Sequence, residues 1–422
     1  MKISKIIARE IFDSRGMPTV ECELILEDEQ SVVASAPSGA SKGSHEAVEL
    51  RDGDKYFFGK GVSKAIANIE TKIAPFLVAQ ELDAPAMDQM LIELDGTSNK
   101  SNLGANATLP VSMALFKAQA KMEQVELFEI IAWVYGQEMI SLPVPMFNVI
   151  NGGAHADNNL NIQEFMVVPI GSQSYRQAVE AAMMFTQELK EVLKSKGKST
   201  AVGDEGGFAS QFEDETDAFN CLMEALIIFD KKHQNVFALA LDVAASQFYD
   251  AEKNKYLWHG DYVTSDDLIS YYQQIAEHFP LYSLEDGLAE DDWDGWVKMT
   301  EQLGNKMQLV GDDIFVTNAA RIAKGLELDV ANAVLIKPNQ AGTVTETLQA
   351  IKLCKEHALG TVISHRSGET NDSFIADLAV GTSAGQIKAG GCMRGERLAK
   401  YNRLLRIEDK LLGHLLKQIN FS

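Results

Sequence analysis

Six polar residues stand at the ends of apolar segments, and their types suit metal binding and proton transfer. They are Asp242, Glu285, Asp312, Lys337, His365 and Lys388. Four of the five intervals between them are 23 to 28 residues, about one strand-helix unit each, and the first, of 43, holds an extra segment. In a parallel barrel such strand ends share the carboxyl rim, where barrel enzymes keep their chemistry. Any one could be a solvated loop residue, but six in register predict a site.

Three of the six are acids, and they predict a metal centre. Carboxylates that converge repel one another, and burying them without a counter-charge is costly. Oxygen ligands without His or Cys suit Mg²⁺ or Mn²⁺ better than Zn²⁺. The alternation in LVGDD leaves open whether Asp312 or Asp313 faces the metal. The competing interpretation is three separate surface acids.

Lys337 ends the apolar strand VLIK, so we expect it to be partly buried. Burial and nearby cations lower the pKa of a lysine and make a neutral amine available as a base. The alternative is a lysine that extends its amine to solvent. Lys388 has the weaker case on its own.

An anion site is predicted at the strand end that carries His365, Arg366 and Ser367. A ring N–H, a guanidinium and a hydroxyl can together bind a carboxylate or phosphate. Such local cations would have to override a formal net charge of −22. An ordinary arginine ion pair is the alternative.

Two loops rich in small residues carry further candidates. NGGAHADN holds His155 and precedes Gln163 and Glu164, and VGDEGGF places Glu205 between glycines. Glycine lets backbone approach a ligand closely. Glu164 and Glu205 could form a pair of acids in which one pKa is pushed upward. From spacing alone this pairing is a hypothesis.

The pattern of the N-terminal segments, which must support these residues, predicts an α+β module. Segments 3–12, 19–26 and 31–35 have strand patterning. The small-residue loop PSGASKGS (37–44) follows, and we expect it to be mobile. Ser63 is predicted to cap one helix, and Asn106 or Thr108 with Pro110 to begin another.

From about residue 140 the pattern alternates strand and helix. Ser174 and Gln177 form a capping box for a helix that should end near Gly197. Eight apolar strands favour a closed barrel over an open sheet. They are LPVPMFNVIN, IQEFMVVP, FALALDV, LYSLEDG, MQLVGDD, AVLIKPN, GTVISHR and GQIKAG. The segment between the third and fourth, SQFYDAEKNKYLWHGDY, is predicted to be an inserted hairpin or lid.

Composition excludes several classes of protein. The 422 residues are 46% hydrophobic and 23% charged, which is ordinary for globular chains. The net charge argues against general nucleic-acid binding and docking on anionic membranes. We expect no signal peptide or membrane span, and four scattered cysteines without a CxxC pair predict reduced thiols in a cytoplasmic protein.

These motifs identify the chain as similar to a known family. It resembles the enolases, specifically the bacterial ones, over nearly its whole length. The motifs that carry the resemblance are PSGASKG, NGGAHADN, IQEFM, VGDEGGF, ALDVAAS, SLEDG, GDD, LIKPNQAGT and SHRSGET.

The resemblance implies an α/β fold with an N-terminal α+β capping domain, 1–136, and a C-terminal catalytic enolase-type barrel, 137–422. It also implies that the first units of the barrel are irregular, so its strands are not all parallel. The implied activity is reversible dehydration of 2-phospho-D-glycerate to phosphoenolpyruvate in glycolysis and gluconeogenesis. This is a hydro-lyase reaction through an enediolate intermediate stabilised by two Mg²⁺ ions, for which Mn²⁺ could substitute.

The family's roles then fall on numbered residues. The resemblance implies Asp242, Glu285 and Asp312 as ligands of the first metal and Ser41 as a ligand of the second. Lys337 is the implied base and Glu205 the acid, which Glu164 supports, and His155 is a further implied catalytic residue. The implied contacts with substrate come from His155, Gln163, Glu164, Glu285, Asp312, His365, Arg366, Ser367 and Lys388.

Other interpretations stay open on the sequence. A related lyase or racemase would keep the three acids but would not need the residues predicted to bind phosphate. A Schiff-base aldolase would use Lys337 without a metal. A scaffold, such as a surface receptor or an RNA-degradation complex subunit, would not need the catalytic residues. The resemblance implies a cytoplasmic homo-oligomer, dimer or octamer, without direct nucleic-acid binding. A secondary surface or secreted role without a signal peptide is a further expectation.

Overall fold

The computed structural model describes residues 1–40, 43–233 and 236–419. Ser41, implied above as a metal ligand, and part of the predicted mobile loop therefore lie outside the described residues. Contacts divide the chain into two compact units. The first comprises Met1–Ser141, Val316–Ala323 and Leu335–Ala384, and the second Leu142–Phe315, Lys324–Val334 and Gly385–Ser422.

An antiparallel three-stranded sheet begins the first unit. Its strands are β1 (Ile3–Phe12), β2 (Pro18–Leu26) and β3 (Ser31–Ser35), paired in sequence order. One face of β2 buries Val20, Cys22 and Leu24, while residues between them are partly exposed. This period of two is what the sequence pattern predicted.

Five α-helices follow the sheet in the part of the chain that the structure describes, and two of their predicted starts are wrong. The helices are α1 (Ser63–Asn68), α2 (Ala74–Leu77), α3 (Ala84–Asp95), α4 (Ala105–Glu123) and α5 (Leu127–Tyr135). Ser63 is the first helical residue rather than the cap, because the Asp52 carboxylate accepts hydrogen bonds from the Ser63 and Lys64 N–H groups. Pro110 lies inside α4, which begins five residues earlier at Ala105.

The remaining strands begin at Val144. They are β4 (Val144–Asn151), β5 (Glu164–Val168), β6 (Ala238–Asp242), β7 (Tyr249–Asp250), β8 (Lys255–Trp258), β9 (Asp261–Val263), β10 (Leu281–Glu285), β11 (Gln308–Gly311), β12 (Ala333–Ile336), β13 (Gly360–Ser364) and β14 (Gly385–Lys388). Eight of them close a barrel in the order β10-β11-β12-β13-β14-β4-β5-β6. These are the eight apolar segments identified in the sequence, so the predicted barrel is confirmed.

Nine α-helices separate or follow these strands in the described residues. They are α6 (Tyr175–Ser195), α7 (Glu215–His233), α8 (Ser265–His278), α9 (Trp293–Leu303), α10 (Ala319–Glu327), α11 (Pro338–Ala341), α12 (Val344–Glu356), α13 (Phe374–Gly381) and α14 (Gly395–Ile419). Ser174 caps α6 as predicted, by accepting a hydrogen bond from the Gln177 N–H.

The strand β5 runs against both of its neighbours, β4 and β6. The β4–β5 connection contains only a short 3₁₀ turn, Gly153–His155, and no crossover helix, so the chain reverses. The β5–β6 connection contains two helices, α6 and α7, which return the chain to the end where β5 finished. A wholly parallel barrel is therefore wrong, and the irregular start implied by the resemblance is confirmed.

The insertion after β6 forms a separate antiparallel sheet, β7-β8-β9, as the hairpin prediction anticipated. All four cysteines are buried and free. Across the described residues, we find no helix with the length and apolar character that a membrane crossing needs.

Candidate active site

Strand register in the second unit brings three predicted acids side by side. Glu164 begins β5 and pairs with Asp242 at the end of β6, which in turn pairs with Glu285 at the end of β10. Because β5 runs in the opposite direction, its first residue lies at the rim where β6 and β10 finish. All three side chains are buried, with at most 4% of each residue exposed.

Lys388, the last residue of β14, provides the counter-charge to these acids. Its Nζ lies 3.0 Å from Asp242 Oδ2, 2.8 Å from both carboxylate oxygens of Glu285 and 3.3 Å from Glu164 Oε1. Burial favours the neutral amine, but Asp242, Glu164 and Glu285 outweigh it and hold the pKa of Lys388 well above its ordinary value. Lys388 is thus a fixed cation and an unsuitable base.

A second group of predicted residues meets around Glu164. His155 Nδ1 lies 3.7 Å from Glu164 Oε1 and 3.6 Å from Glu205 Oε2. Burial and the nearby Glu205 raise the pKa of Glu164 well above its usual range. Burial also lowers the pKa of His155, which favours its neutral ring. The hypothesis of a paired-acid arrangement agrees with this geometry.

The loop that carries Glu205 is shaped by close backbone contacts. Gly206 has φ +90°, and a Cβ built on it would lie 2.5 Å from the Met393 carbonyl oxygen. A Cβ on Gly203 would lie 2.6 Å from the His155 carbonyl oxygen. From the sequence, we expected these glycines to let the backbone approach a ligand. In the structure they instead let two segments of protein backbone pack closely, which restrains the loop that carries Glu205.

A cluster of three acids whose oxygens lie close together shares only Asp312 with the predicted metal ligands Asp242, Glu285 and Asp312. Asp286, Asp312 and Asp313 offer ligand atoms that all lie within 4.8 Å of one another. Asp286 also accepts hydrogen bonds from the Asp312 and Asp313 N–H groups, at 2.8 and 2.9 Å, and so holds the turn after β11. Asp312 and Asp313 are both buried, and the choice between them as ligand stays open.

The donor set in this unit fits a hard divalent cation. Gln163 donates to Asp242 Oδ2 at 3.3 Å. Two further oxygens, Gln163 Oε1 and Glu164 Oε2, are buried without a hydrogen-bond partner among the described residues. Buried carboxylate and amide oxygens are the ligands that Mg²⁺ and Mn²⁺ prefer.

In the first unit, Lys337 follows β12 directly and precedes α11. The residue is partly buried, as predicted. Its backbone N–H donates to Thr317 Oγ1 at 2.9 Å, and the Thr317 hydroxyl donates to Gln340 Oε1 at 2.8 Å. The first bond restrains the backbone at Lys337, and the second links Thr317 to the side chain of Gln340, three residues after the lysine.

The predicted anion-binding residues lie together after β13, in the same unit. His365, Arg366 and Ser367 are each at most 5% exposed. The Arg366 guanidinium forms a two-point contact with the Glu46 carboxylate, at 2.9 and 3.1 Å. The Ser367 hydroxyl oxygen accepts a hydrogen bond from the Ala40 N–H at 2.5 Å.

Sequence reasoning missed three residues that orient the predicted ones. Asn148 donates to Glu205 Oε2 at 3.1 Å, Asp286 holds the Asp312 turn, and Glu46 holds Arg366. Asp286 could have been noticed because it adjoins Glu285 in SLEDG. No local pattern distinguishes Asn148 or Glu46, since their partners lie 57 and 320 residues away.

Comparison with known proteins gives a consistent result for both parts of the chain. Residues 3–131 match a family model described as enolase, N-terminal domain, and residues 139–416 match one described as enolase, C-terminal TIM barrel domain. A curated relative from Natranaerobius thermophilus, named enolase, is 50% identical over 412 residues. The alignment covers 97% of this chain and 96% of the relative.

Proposed function

This chain belongs to the enolase family, and we propose that the residues described above perform the family's reaction. It catalyses the reversible dehydration of 2-phospho-D-glycerate to phosphoenolpyruvate, a hydro-lyase reaction. The C2–H and C3–O bonds break, a C2–C3 double bond forms, and the hydroxyl leaves as water. The observation that best supports the assignment of roles is the buried group of Lys388, Asp242, Glu285 and Glu164.

Lys337 is proposed as the base that removes the C2 proton. A base must be neutral and held in place. Lys337 is partly buried, and the hydrogen bond from its backbone N–H to Thr317 restrains its position. The other candidate lysine, Lys388, is held in its charged form by three carboxylates and is therefore assigned to charge stabilisation.

Glu205 is proposed as the acid that protonates the departing hydroxyl. Hydroxide leaves poorly, so the group that assists it must carry a proton. Glu164 and Glu205 lie together beside His155, and repulsion between two buried carboxylates favours a shared proton. Asn148 orients Glu205 through its 3.1 Å hydrogen bond.

The negative charge that develops on the substrate carboxylate is proposed to face Lys388. A buried cation stabilises such charge strongly because little water competes with it. Asp242, Glu285 and Asp312 would hold one Mg²⁺ or Mn²⁺, and Ser41 would contribute to a second. A bound divalent cation would supply further positive charge beside the carboxylate.

The phosphate group of the substrate is proposed to bind Arg366, Ser367 and His155. A guanidinium matches phosphate geometry at two points, and neutral imidazole and hydroxyl groups add donors. His365 and Gln163 are proposed to contact other parts of the substrate. Burial of the 365–367 segment supports this role, because desolvated cations bind anions despite a net charge of −22.

Replacing Lys337 with alanine tests the assignment of the base. We expect turnover to fall by about 10³-fold or more, since general-base catalysis contributes on that scale. The measurement is ultraviolet absorbance of the conjugated enol product after mixing with 2-phosphoglycerate and Mg²⁺. Lys352→Ala removes an exposed lysine from α12 of the same unit and should keep wild-type turnover. Near-normal activity of folded Lys337→Ala would refute the base role.

The cellular setting is proposed from the family alone. We place the protein in the cytoplasm, in glycolysis and gluconeogenesis, as a homo-oligomer, either dimer or octamer. The proposed domain boundary lies between residues 136 and 137. Membership of an RNA-degradation complex and a secondary surface role are further proposals, which co-purification from cells and surface labelling of intact cells would test.

A further inference from the structure

A buried ion pair in the first unit joins two segments that are distant in sequence. Glu46 follows the 37–44 loop, and Arg366 follows β13. Arg366 Nη1 lies 2.9 Å from Glu46 Oε2, and Nη2 lies 3.1 Å from Oε1. Only 3% of the Arg366 side chain and 8% of the Glu46 side chain are exposed. The contact is therefore the two-point, desolvated kind that fixes the plane of a guanidinium.

The same pair reaches the segment that carries Lys337. Arg366 Nη1 also donates to Asn339 Oδ1 at 3.2 Å, two residues after the proposed base. Gln340 Nε2 donates to Glu46 Oε1 at 3.4 Å, and the Ala47 N–H donates to the Gln340 carbonyl at 2.9 Å. The arginine is thus held between two segments rather than by a single partner.

The loop before Glu46 is tied to the residues that follow Arg366. Ser38 and Gly368 exchange two backbone hydrogen bonds of 2.8 Å each. The Ala40 N–H donates to Ser367 Oγ, and the Gly43 N–H donates to Glu46 Oε1 at 3.1 Å. Glu46 therefore connects this loop to the arginine side chain itself.

We propose that Glu46 is a positioning residue, which holds the Arg366 guanidinium in the orientation that binds the phosphate group of the substrate. The proposal rests on the proposed role of Arg366. A guanidinium carries five N–H donors, so it can hold a carboxylate, an amide oxygen and a phosphate at the same time. Holding the arginine before substrate arrives removes the cost of ordering a long side chain on binding.

Electrostatics alone would give Glu46 the opposite effect. A carboxylate beside a phosphate site repels the substrate, so its removal would tighten phosphate binding if charge were its main contribution. A positioning role predicts weaker binding on its removal, because the guanidinium loses its fixed plane. The sign of the change in phosphate affinity therefore separates the two accounts.

The test is Glu46→Gln, which keeps the size of the side chain and removes its charge. We expect KM for 2-phosphoglycerate and the inhibition constant of inorganic phosphate each to rise about tenfold, the scale of one lost charge-assisted hydrogen-bond contact. The kcat should change by less than about threefold, since the charged groups assigned to the chemistry remain. An unchanged or lower phosphate inhibition constant would overturn the proposal.

Two further variants separate this proposal from the role of Arg366. Arg366→Lys should itself weaken phosphate binding. Adding Glu46→Gln should then weaken it little further, because both changes abolish the same feature, a guanidinium held in a fixed orientation. If Arg366→Lys leaves phosphate affinity unchanged, the proposed phosphate role fails. If the phosphate inhibition constant of the double variant rises by the product of the two single fold-changes, Glu46 acts independently of Arg366 and the positioning role fails.

A general loss of stability is controlled in two ways. Asp217→Asn removes a partly buried carboxylate that lies 2.7 Å from Lys198 in the second unit, and it should leave KM and phosphate inhibition unchanged. If Glu46→Gln does not fold, Asn339→Ala removes a different contact to Arg366 without altering charge. We expect that variant to raise both constants about threefold, and unchanged constants would count against a restrained guanidinium.

Discussion

At the scale of single residues, the positions of buried charges organise the proposed active site. Lys388 balances three carboxylates, so its ammonium is stable in a place where water is excluded. An isolated buried lysine would instead lose its proton. Because its carboxylate partners keep Lys388 charged, the role of base is proposed for Lys337 instead.

Gly206 is predicted to be necessary for the position of Glu205. In Gly206→Ala the new Cβ would lie 2.5 Å from the Met393 carbonyl oxygen at a φ of +90°. The backbone must shift, and we expect kcat to fall about tenfold and the free energy of unfolding to fall by more than about 1 kcal/mol. Steady-state kinetics and chemical denaturation measure the two effects.

Gly197→Ala is the matched control for this change. Gly197 has a φ of +69°, but no atom lies within 4 Å of the position that a Cβ would take there. It should lose a comparable amount of backbone stability while keeping wild-type kcat. Equal activity in the two variants would show that the Gly206 contact does not hold the acid in place.

Residue types and spacing predicted the candidate side chains but not the residues that orient them. Asp242, Glu285 and Lys388 were recognised because each ends an apolar strand. Asn148 and Glu46 act through partners far along the chain, and no local pattern encodes such contacts. Alternation does not decide between Asp312 and Asp313 as ligand, because β11 ends at Gly311 and a turn follows.

At the scale of elements, strand direction decides which residues can meet. Apolar character identified all eight barrel strands, including β5, because every residue of that strand is buried as in a parallel barrel strand. It could not reveal that β5 is reversed, because direction depends on the connections. Reversal places Glu164, the first residue of β5, beside Asp242, the last residue of β6.

The helix starts show a similar limit. Ser63 has the right type for a cap, but Asp52, eleven residues earlier, supplies the acceptor oxygens instead. Pro110 suggested a first turn, yet α4 begins at Ala105 and contains the proline. Preferences for end positions describe average helices, and tertiary contacts override them.

Asp88 on α3 joins three helices and is predicted to make stability depend on pH. It accepts hydrogen bonds from the Ser112 hydroxyl on α4 and the Thr345 N–H on α12, at 2.8 and 2.9 Å. Burial, with Glu346 nearby, raises its pKa from 3.8 to about 6. Its stabilising contribution is therefore full below about pH 4 and is lost as pH rises through about 6.

Asp88→Asn measures this contribution. Between pH 4 and 7 the free energy of unfolding of the wild type should fall by up to about 3 kcal/mol relative to the variant, because asparagine does not titrate. Urea denaturation at several pH values gives the difference. Asp83→Asn keeps the α3 cap and should follow the wild-type profile. Parallel profiles of wild type and Asp88→Asn would contradict the prediction.

At the scale of the whole molecule, a chain with net charge −22 must bind an anionic substrate. Buried cations in each unit, Arg366 and Lys388, supply local positive charge that solvent screens little. The acids that converge on Lys388 add negative charge, which a divalent cation would compensate. We therefore expect the folded state to bind Mg²⁺ and the unfolded chain to bind it weakly.

Mg²⁺ should consequently raise the thermal unfolding midpoint. At about 100 times the dissociation constant the expected stabilisation is about 2.7 kcal/mol. Asp312→Asn should lose most of this shift, whereas Asp217→Asn, in the same unit but outside the acid cluster, should keep it. EDTA should reverse the shift. A wild-type midpoint that does not respond to Mg²⁺ would contradict the proposed metal centre.

Exchange of the substrate C2 hydrogen in deuterated water tests most directly whether Lys337 is the base and Glu205 the acid. The measurement is loss of the C2 proton signal of 2-phosphoglycerate by nuclear magnetic resonance, with Mg²⁺ present. Glu205→Gln should exchange this hydrogen while forming little phosphoenolpyruvate, because the base is intact and the acid is missing. Lys337→Ala should do neither. Exchange by Lys337→Ala at the rate of Glu205→Gln would contradict the account.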